Sequence, residues 1–142
     1  MNVAAILKSK GRDVATVSRE ATLQAATEVL ASRKIGAVVV CGDAGSVVGI
    51  LSERDIIRAI AANGPSCLSK PVSRAMTYDV ITCDESQTVD AVMGVMTNGR
   101  FRHVPVIDNG ALAGIVSIGD VVKSHIAEVE HEAEALRAYL SS

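Results

Sequence analysis

The sequence predicts an α+β protein made of two copies of one β-α-β-β-α unit, preceded by an N-terminal segment and followed by an extended helix. Three observations carry this. The pattern Gly-Ile-x-Ser-x-x-Asp occurs at Gly49–Asp55 ("GILSERD") and again at Gly114–Asp120 ("GIVSIGD"). Apolar residues around the two patterns fall into register when the chain is slid along itself. The apolar periodicity also changes between helical and extended at the same points of each copy.

The register is read residue by residue. Val14, Thr16, Thr22, Ala25, Val29, Val38 and Val40 fall 66 positions before Val80, Thr82, Thr88, Ala91, Val95, Val104 and Val106. Beyond that the slip is 65, so that Gly45, Gly49, Ile50, Ser52 and Asp55 meet Gly110, Gly114, Ile115, Ser117 and Asp120. The change falls between "CGDAGS" and "IDNGA", turn segments where length differences are tolerated best.

Each copy opens on a short extended piece, "VATV" or "VITC", and Thr22 or Thr88 then stands where an N-cap is needed. The helix "LQAATEVLASRK" carries its apolar stripe on Leu23, Ala26, Val29 and Leu30, and "VDAVMGVMTNGR" carries it on Val89, Val92, Val95 and Met96. Arg33, Lys34 and Arg100 lie at the negative ends of these helices, where cations are favoured. Two β-rich runs follow, "AVVVC" to "SVVGILS" and "HVPVI" to "ALAGIVS", joined by turns with Gly and Asp or Asn. A second helix starts directly after each Ser. Neither unit buries its apolar face alone, so the two are expected to pack side by side. The boundaries read as 3–66, 67–126 and a helical extension over 127–142.

Composition excludes several functions. Apolar residues make up 49% of the 142, enough for a core, while aromatics are 2% with no Trp, which leaves no platform for base stacking. A net charge of -2 and a pI near 5.9 argue against duplex DNA, so no nucleic-acid partner is expected. Cys41, Cys67 and Cys83 are scattered without a C-x-x-C spacing, and read as small hydrophobes in a reducing compartment with no metal site. The N-terminal apolar stretch is too short for a signal peptide. No run approaches the roughly 20 apolar residues that span a bilayer. A cytoplasmic location without a membrane partner is the expectation.

Gly-Ile-x-Ser-x-x-Asp has two physical readings. As a capping box, Ser is the N-cap and Asp the N3 carboxylate, reaching back to the Ser backbone N–H. As a ligand site, the helix N-terminus favours an anion, the Gly permits close approach, and the Asp can accept two hydrogen bonds from a vicinal diol such as a ribose. The readings are compatible. Arg54 and Arg58 add charge to the first copy, and "GRFRHVPV" puts Arg100, Arg102 and His103 at the start of a strand in the second. Gly36 and Ala37 match Arg102 and His103 in the first copy, an asymmetry that points to a task.

With these residues in view, the doubled unit resembles a tandem pair of CBS domains, the module named after cystathionine beta-synthase. The two Gly-Ile-x-Ser-x-x-Asp segments, the strands "IGAVVV" and "RHVPV" and the two Thr-led helices carry the resemblance, from about Val3 to about Ile126. It implies a disc with pseudo-two-fold symmetry and clefts between the repeats that take AMP, ADP, ATP or NAD(H), with S-adenosylmethionine a less favoured ligand and no cofactor required. Carried over, Asp55 and Asp120 hold ribose, and Ser52 and Ser117 contact ribose or phosphate. Ala37, Val80 and Val14 line the adenine slots, Arg54, Arg102 and His103 face phosphates, and Thr77 bonds base or phosphate. His103 would add pH sensitivity near neutrality. Ile118-Gly119 replaces Glu53-Arg54 in the second motif, so the two sites should differ in charge.

The tail reads as one long helix whose apolar residues Val122, Ile126, Val129, Ala133, Leu136 and Leu140 follow a heptad seam. The seam packs either on its own domain or on its copy in a homodimer. The function expected is a non-catalytic regulatory module that binds an adenine nucleotide and signals to a protein target. A dimeric scaffold whose motifs are caps alone is the alternative. An enzyme is disfavoured, because no nucleophile–base constellation or GxxxxGK[ST] loop is present.

Overall fold

The computed structural model describes residues 1–142. In the first copy β1 (Thr16–Ser18) runs parallel to β2 (Ala37–Cys41), and β2 pairs antiparallel with β3 (Val47–Ser52). The helix α2 (Leu23–Arg33) connects β1 to β2, and α3 (Glu53–Asn63) follows β3. Thr22 caps α2 by accepting from the Ala25 N–H at 3.1 Å. The stripe of α2 buries Leu23, Ala26 and Leu30 against Val38, Val40, Leu51 and Ile56. Ala37 through Val40 are all buried, as expected of a strand covered on both faces.

The second copy contains α4 (Val89–Gly99), β4 (His103–Asp108), β5 (Ala111–Ser117) and α5 (Ile118–Ser141). Thr88 caps α4 through the Ala91 N–H at 3.1 Å, and Val89, Val92 and Met96 are buried. Asn109 (φ 50°) and Gly110 (φ 79°) turn β4 into β5, with the two successive positive φ values of a type I′ hairpin. The segment "VITC" departs from expectation. It forms a single parallel bridge, Cys83 to Val106, where the first copy has a strand. Proline explains this: Val39 donates its N–H to the Ala15 carbonyl at 3.1 Å, and Pro105, which stands in the place of Val39, has no N–H.

The chain gathers into two units. One comprises Asp13–Ile81 with Asn109–Ala113, the other Met1–Arg12, Thr82–Asp108 and Gly114–Ser142. Each copy is therefore completed by the segment that precedes the other copy. In the first unit Val72 N–H donates to Ala21 O (2.7 Å), Ser73 N–H to Arg19 O (3.1 Å) and Leu23 N–H to Lys70 O (3.0 Å). In the second, Val3 N–H donates to Gln87 O (2.9 Å), Ala4 N–H to Glu85 O (3.0 Å) and Val89 N–H to Met1 O (3.1 Å). Met1, Val3 and Ala4 thus match Lys70, Val72 and Ser73, a slip of 69. From this anchor runs the helix α1 (Val3–Lys10), capped by the Asn2 side chain.

The long helix α5 buries Val121 and Ser124 and turns the heptad seam outward. Val122, Ile126, Val129, Leu136 and Leu140 are 46–73% exposed, so the seam does not pack on its own domain. No helix is long and apolar enough to cross a membrane.

Candidate functional site

Both Gly-Ile-x-Ser-x-x-Asp segments form the same corner, where a strand ends and a helix starts. Ser52 closes β3 in an extended conformation and caps α3: the Asp55 N–H donates to Ser52 Oγ at 3.3 Å, and the Ser52 N–H donates to Asp55 Oδ2 at 2.9 Å. The Ser52 hydroxyl also donates to that Oδ2, at 3.1 Å. Ser117 and Asp120 repeat the box at the start of α5, with distances of 3.2 and 2.8 Å. The capping reading is therefore correct in both copies, and each cap stabilises its helix by about 1 kcal/mol. The first helical amides are engaged as well: Glu53 N–H donates to Gly36 O (3.0 Å) and Ile118 N–H to Arg102 O (2.8 Å). Each helix end is thus largely satisfied from within. Its carboxylate bonds the protein through Oδ2 alone.

The glycines serve close approach, and the group that approaches is the protein itself. A Cβ at Gly49 would lie 2.6 Å from Met76 Sδ and 3.0 Å from the Thr77 carbonyl oxygen. A Cβ at Gly114 would lie 2.7 Å from Leu7 Cδ2. Leu7 and Met76 are related by the slip of 69, so each completing segment lays one apolar side chain on the motif glycine.

The corners then diverge. In the first, Thr77 pairs with Ile50 in both directions, Thr77 N–H to Ile50 O at 2.9 Å and Ile50 N–H to Thr77 O at 3.1 Å. In the second, the carbonyl of Ile115, the counterpart of Ile50, accepts from the Lys10 ammonium at 2.9 Å. The same ammonium lies 2.6 Å from Asp120 Oδ2. Asp55 pairs with no cation. Sequence reading missed Lys10, Leu7 and Met76, because their register with each other is that of the completing segments and not that of the copies.

The remaining predicted residues divide between the units. Ala37 is buried and is the register partner of Ser52 across β2 and β3. Val14 and Val80 are half-buried and Arg54 is exposed; these share the unit of Ser52, Asp55 and Thr77. Arg102 (exposed) and His103 (half-buried, the first residue of β4) belong to the unit of Ser117 and Asp120. A groove of about 530 Å³ in the first unit, lined by residues including Lys34, Gly36, Glu53 and Ile56, touches neither Ser52 nor Asp55.

Comparison with known proteins places this geometry. The family model for the CBS domain matches residues 6–62 and again 72–126. The chain belongs to the CBS domain family. CBS pairs are regulatory modules. The crystal structure of the CBS-domain containing protein ATU1752 from Agrobacterium tumefaciens is 50% identical, with a TM-score of 0.84 over 87% of this chain and 92% of that one. The CBS domain pair of protein MJ0100, solved in complex with 5'-methylthioadenosine and S-adenosyl-L-methionine, is 27% identical, with a TM-score of 0.80 over 90% of this chain and 98% of that one. The mitochondrial CBS domain-containing protein CBSX3 of Arabidopsis thaliana is 34% identical over 143 residues, 95% of this chain and 69% of the plant protein.

Electrostatics also separate the two corners of this CBS pair. Burial pushes the Asp120 carboxyl up, but the Lys10 ammonium and the Ser117 N–H and hydroxyl outweigh it and hold the group below its ordinary 3.8. A carboxyl lowered in the folded state contributes stability above its ordinary range and loses it as pH falls through the lowered value. Lys10→Met should therefore cost stability at neutral pH, and the wild-type and variant curves should converge as the pH drops below 3.8. Urea unfolding across pH 2–7 checks this; a parallel offset at every pH would contradict it.

Proposed function

We propose that this CBS pair is a regulatory module that binds an adenosine-containing ligand, AMP, ADP, ATP or NAD(H), at the Gly-Ile-x-Ser-x-x-Asp corners. The observation that carries the reading is the division of labour within each carboxylate. Oδ2 of Asp55 and Asp120 serves the cap, while Oδ1 is left to accept from a ribose hydroxyl, so capping and binding coexist. Ser52 and Ser117 contact ribose or phosphate beside them. Ala37, Val14 and Val80 supply aliphatic walls for adenine, which suits a chain with no Trp. The exposed guanidinium groups of Arg54 and Arg102, with His103, take the phosphates. Thr77 has spent its backbone on Ile50, so its hydroxyl is what it offers a base. That MJ0100 is solved with two adenosyl compounds supports the adenosyl group as the recognised part and gives S-adenosylmethionine more weight among the candidates.

The output is conformational and non-catalytic. A site with a Kd of about 10 μM supplies roughly 7 kcal/mol, of which only the part that differs between conformations can drive a switch. The outward seam of α5 gives a self-complementary surface for a homodimer, since its apolar residues keep heptad spacing while exposed. Ile126→Glu should shift the protein from dimer to monomer in light scattering; a wild type that is already monomeric would remove this part of the reading. Equilibrium dialysis against AMP, ADP, ATP, NAD, NADH and S-adenosylmethionine tests the binding claim. Retention of at least one compound, recovered chemically unchanged, is expected. If none is retained, the corners are caps within a scaffold.

A further inference from the structure

We infer that Lys10 makes the two half-sites unequal: it neutralises Asp120 through Oδ2, so that Asp55 is the ribose acceptor filled first and Asp120 binds more weakly. The inference rests on the reading of both aspartates as ribose acceptors. Its own ground is the geometry of α1. That helix is anchored by the Val3 and Ala4 amides on Gln87 and Glu85 and by Leu7 against Gly114. Its C-terminal turn is thereby carried to the second corner, where Lys10 Nζ reaches both the Ile115 carbonyl (2.9 Å) and Asp120 Oδ2 (2.6 Å).

A ribose hydroxyl that donates to Oδ1 is held more strongly by a carboxylate whose charge no neighbour neutralises. Asp120 Oδ2 already accepts from the Ser117 N–H and from an ammonium, with both charged side chains partly withdrawn from water at 33% and 22% exposure. An ammonium–carboxylate bond, charged on both sides, is stronger than a hydroxyl–carboxylate bond, charged on the acceptor side alone. The first corner has no equivalent. Its completing segment satisfies the Ile50 carbonyl with the Thr77 backbone N–H. Continuing the slip of 69, the position matched to Lys10 is Asp79, an anion that cannot pair with Asp55. Lys10 thus does for the second corner what a backbone amide does for the first, and adds a charge that competes with ligand.

Calorimetric titration of AMP, ATP and S-adenosylmethionine into the full chain tests this. The wild type should bind one molecule per chain, and Asp55→Ala should abolish it. Lys10→Met should add a second site, tightened about tenfold relative to wild type. The double variant, Asp55→Ala with Lys10→Met, should keep that second site alone. Lys10→Gln, which retains a donor for the Ile115 carbonyl, guards against misfolding of Lys10→Met. In the unaltered protein, amide signals of Gly49–Asp55 should saturate at lower AMP than those of Gly114–Asp120. Two equal sites in the wild type, or no second site on loss of the Lys10 charge while Asp55 still binds, overturns the role of Lys10 and leaves the ribose reading standing. Failure of every probe with every variant overturns the ribose reading, and this inference with it.

Discussion

Leu7→Ala should destabilise the protein by about 2–5 kcal/mol, the range for emptying a leucine site in a packed interior. Leu7 is 1% exposed although it lies near the N-terminus, because α1 completes the second copy. Its isobutyl group lies on Gly114, so the truncation leaves a void that a glycine cannot fill. Urea denaturation should show a lower midpoint at unchanged slope. A loss below about 1 kcal/mol would mean that α1 is peripheral, contrary to its place beneath the second motif.

Gly114→Ala should cost about 1–3 kcal/mol through overpacking. The new methyl would meet Leu7 Cδ2 at 2.7 Å and Cδ1 at 3.0 Å, and Leu7 is buried with little room to withdraw. The double variant gives the sharper result. With Leu7 already cut to Ala, the added methyl enters the space that the leucine vacated, so the two losses should fall short of additivity by 0.5 kcal/mol or more, as contacting residues do at roughly 0.5–3 kcal/mol. Strict additivity would show that the two side chains do not meet. Gly49→Ala should sit nearer the low end, since Met76 is flexible, with the Thr77 carbonyl at 3.0 Å setting the remaining cost.

What the sequence revealed follows from the kind of signal each feature leaves. The Thr-capped helices and the Ser/Asp caps are local patterns that residues a few positions apart are enough to specify, and the repeat is legible because those patterns recur 66 or 65 positions on. Val39 and Pro105 show the limit of reading one copy from the other, because a single missing N–H reduces a strand to one bridge. The exchange of segments was not legible. Aligned at the slip of 69, Met1–Lys8 and Lys70–Thr77 keep only Val3 and Val72 in common, and their likeness lies in backbone hydrogen bonds and in one apolar contact each, Leu7 or Met76 on a glycine. Lys10 was hidden for the same reason: the charge reaches Asp120 only through the packing of α1. The glycine of each motif permits close approach of backbone or ligand, and its immediate neighbour is a side chain of the completing segment.

The central claim, that the motif carboxylates hold an adenosyl ligand, is tested most directly by thermal unfolding of the wild type, Asp55→Ala and Asp120→Ala with AMP, ADP, ATP, NAD, NADH and S-adenosylmethionine. A ligand at a hundred times its Kd adds about 2.7 kcal/mol to the stability of the folded state. Each substitution lowers the starting melting temperature by removing the carboxylate half of a capping box, so the quantity to compare is the ligand-induced rise within each variant. At least one compound is expected to raise the wild-type midpoint, and Asp55→Ala should abolish the rise. An equal rise in all three proteins, or none in any, would contradict the assignment of ribose to these carboxylates.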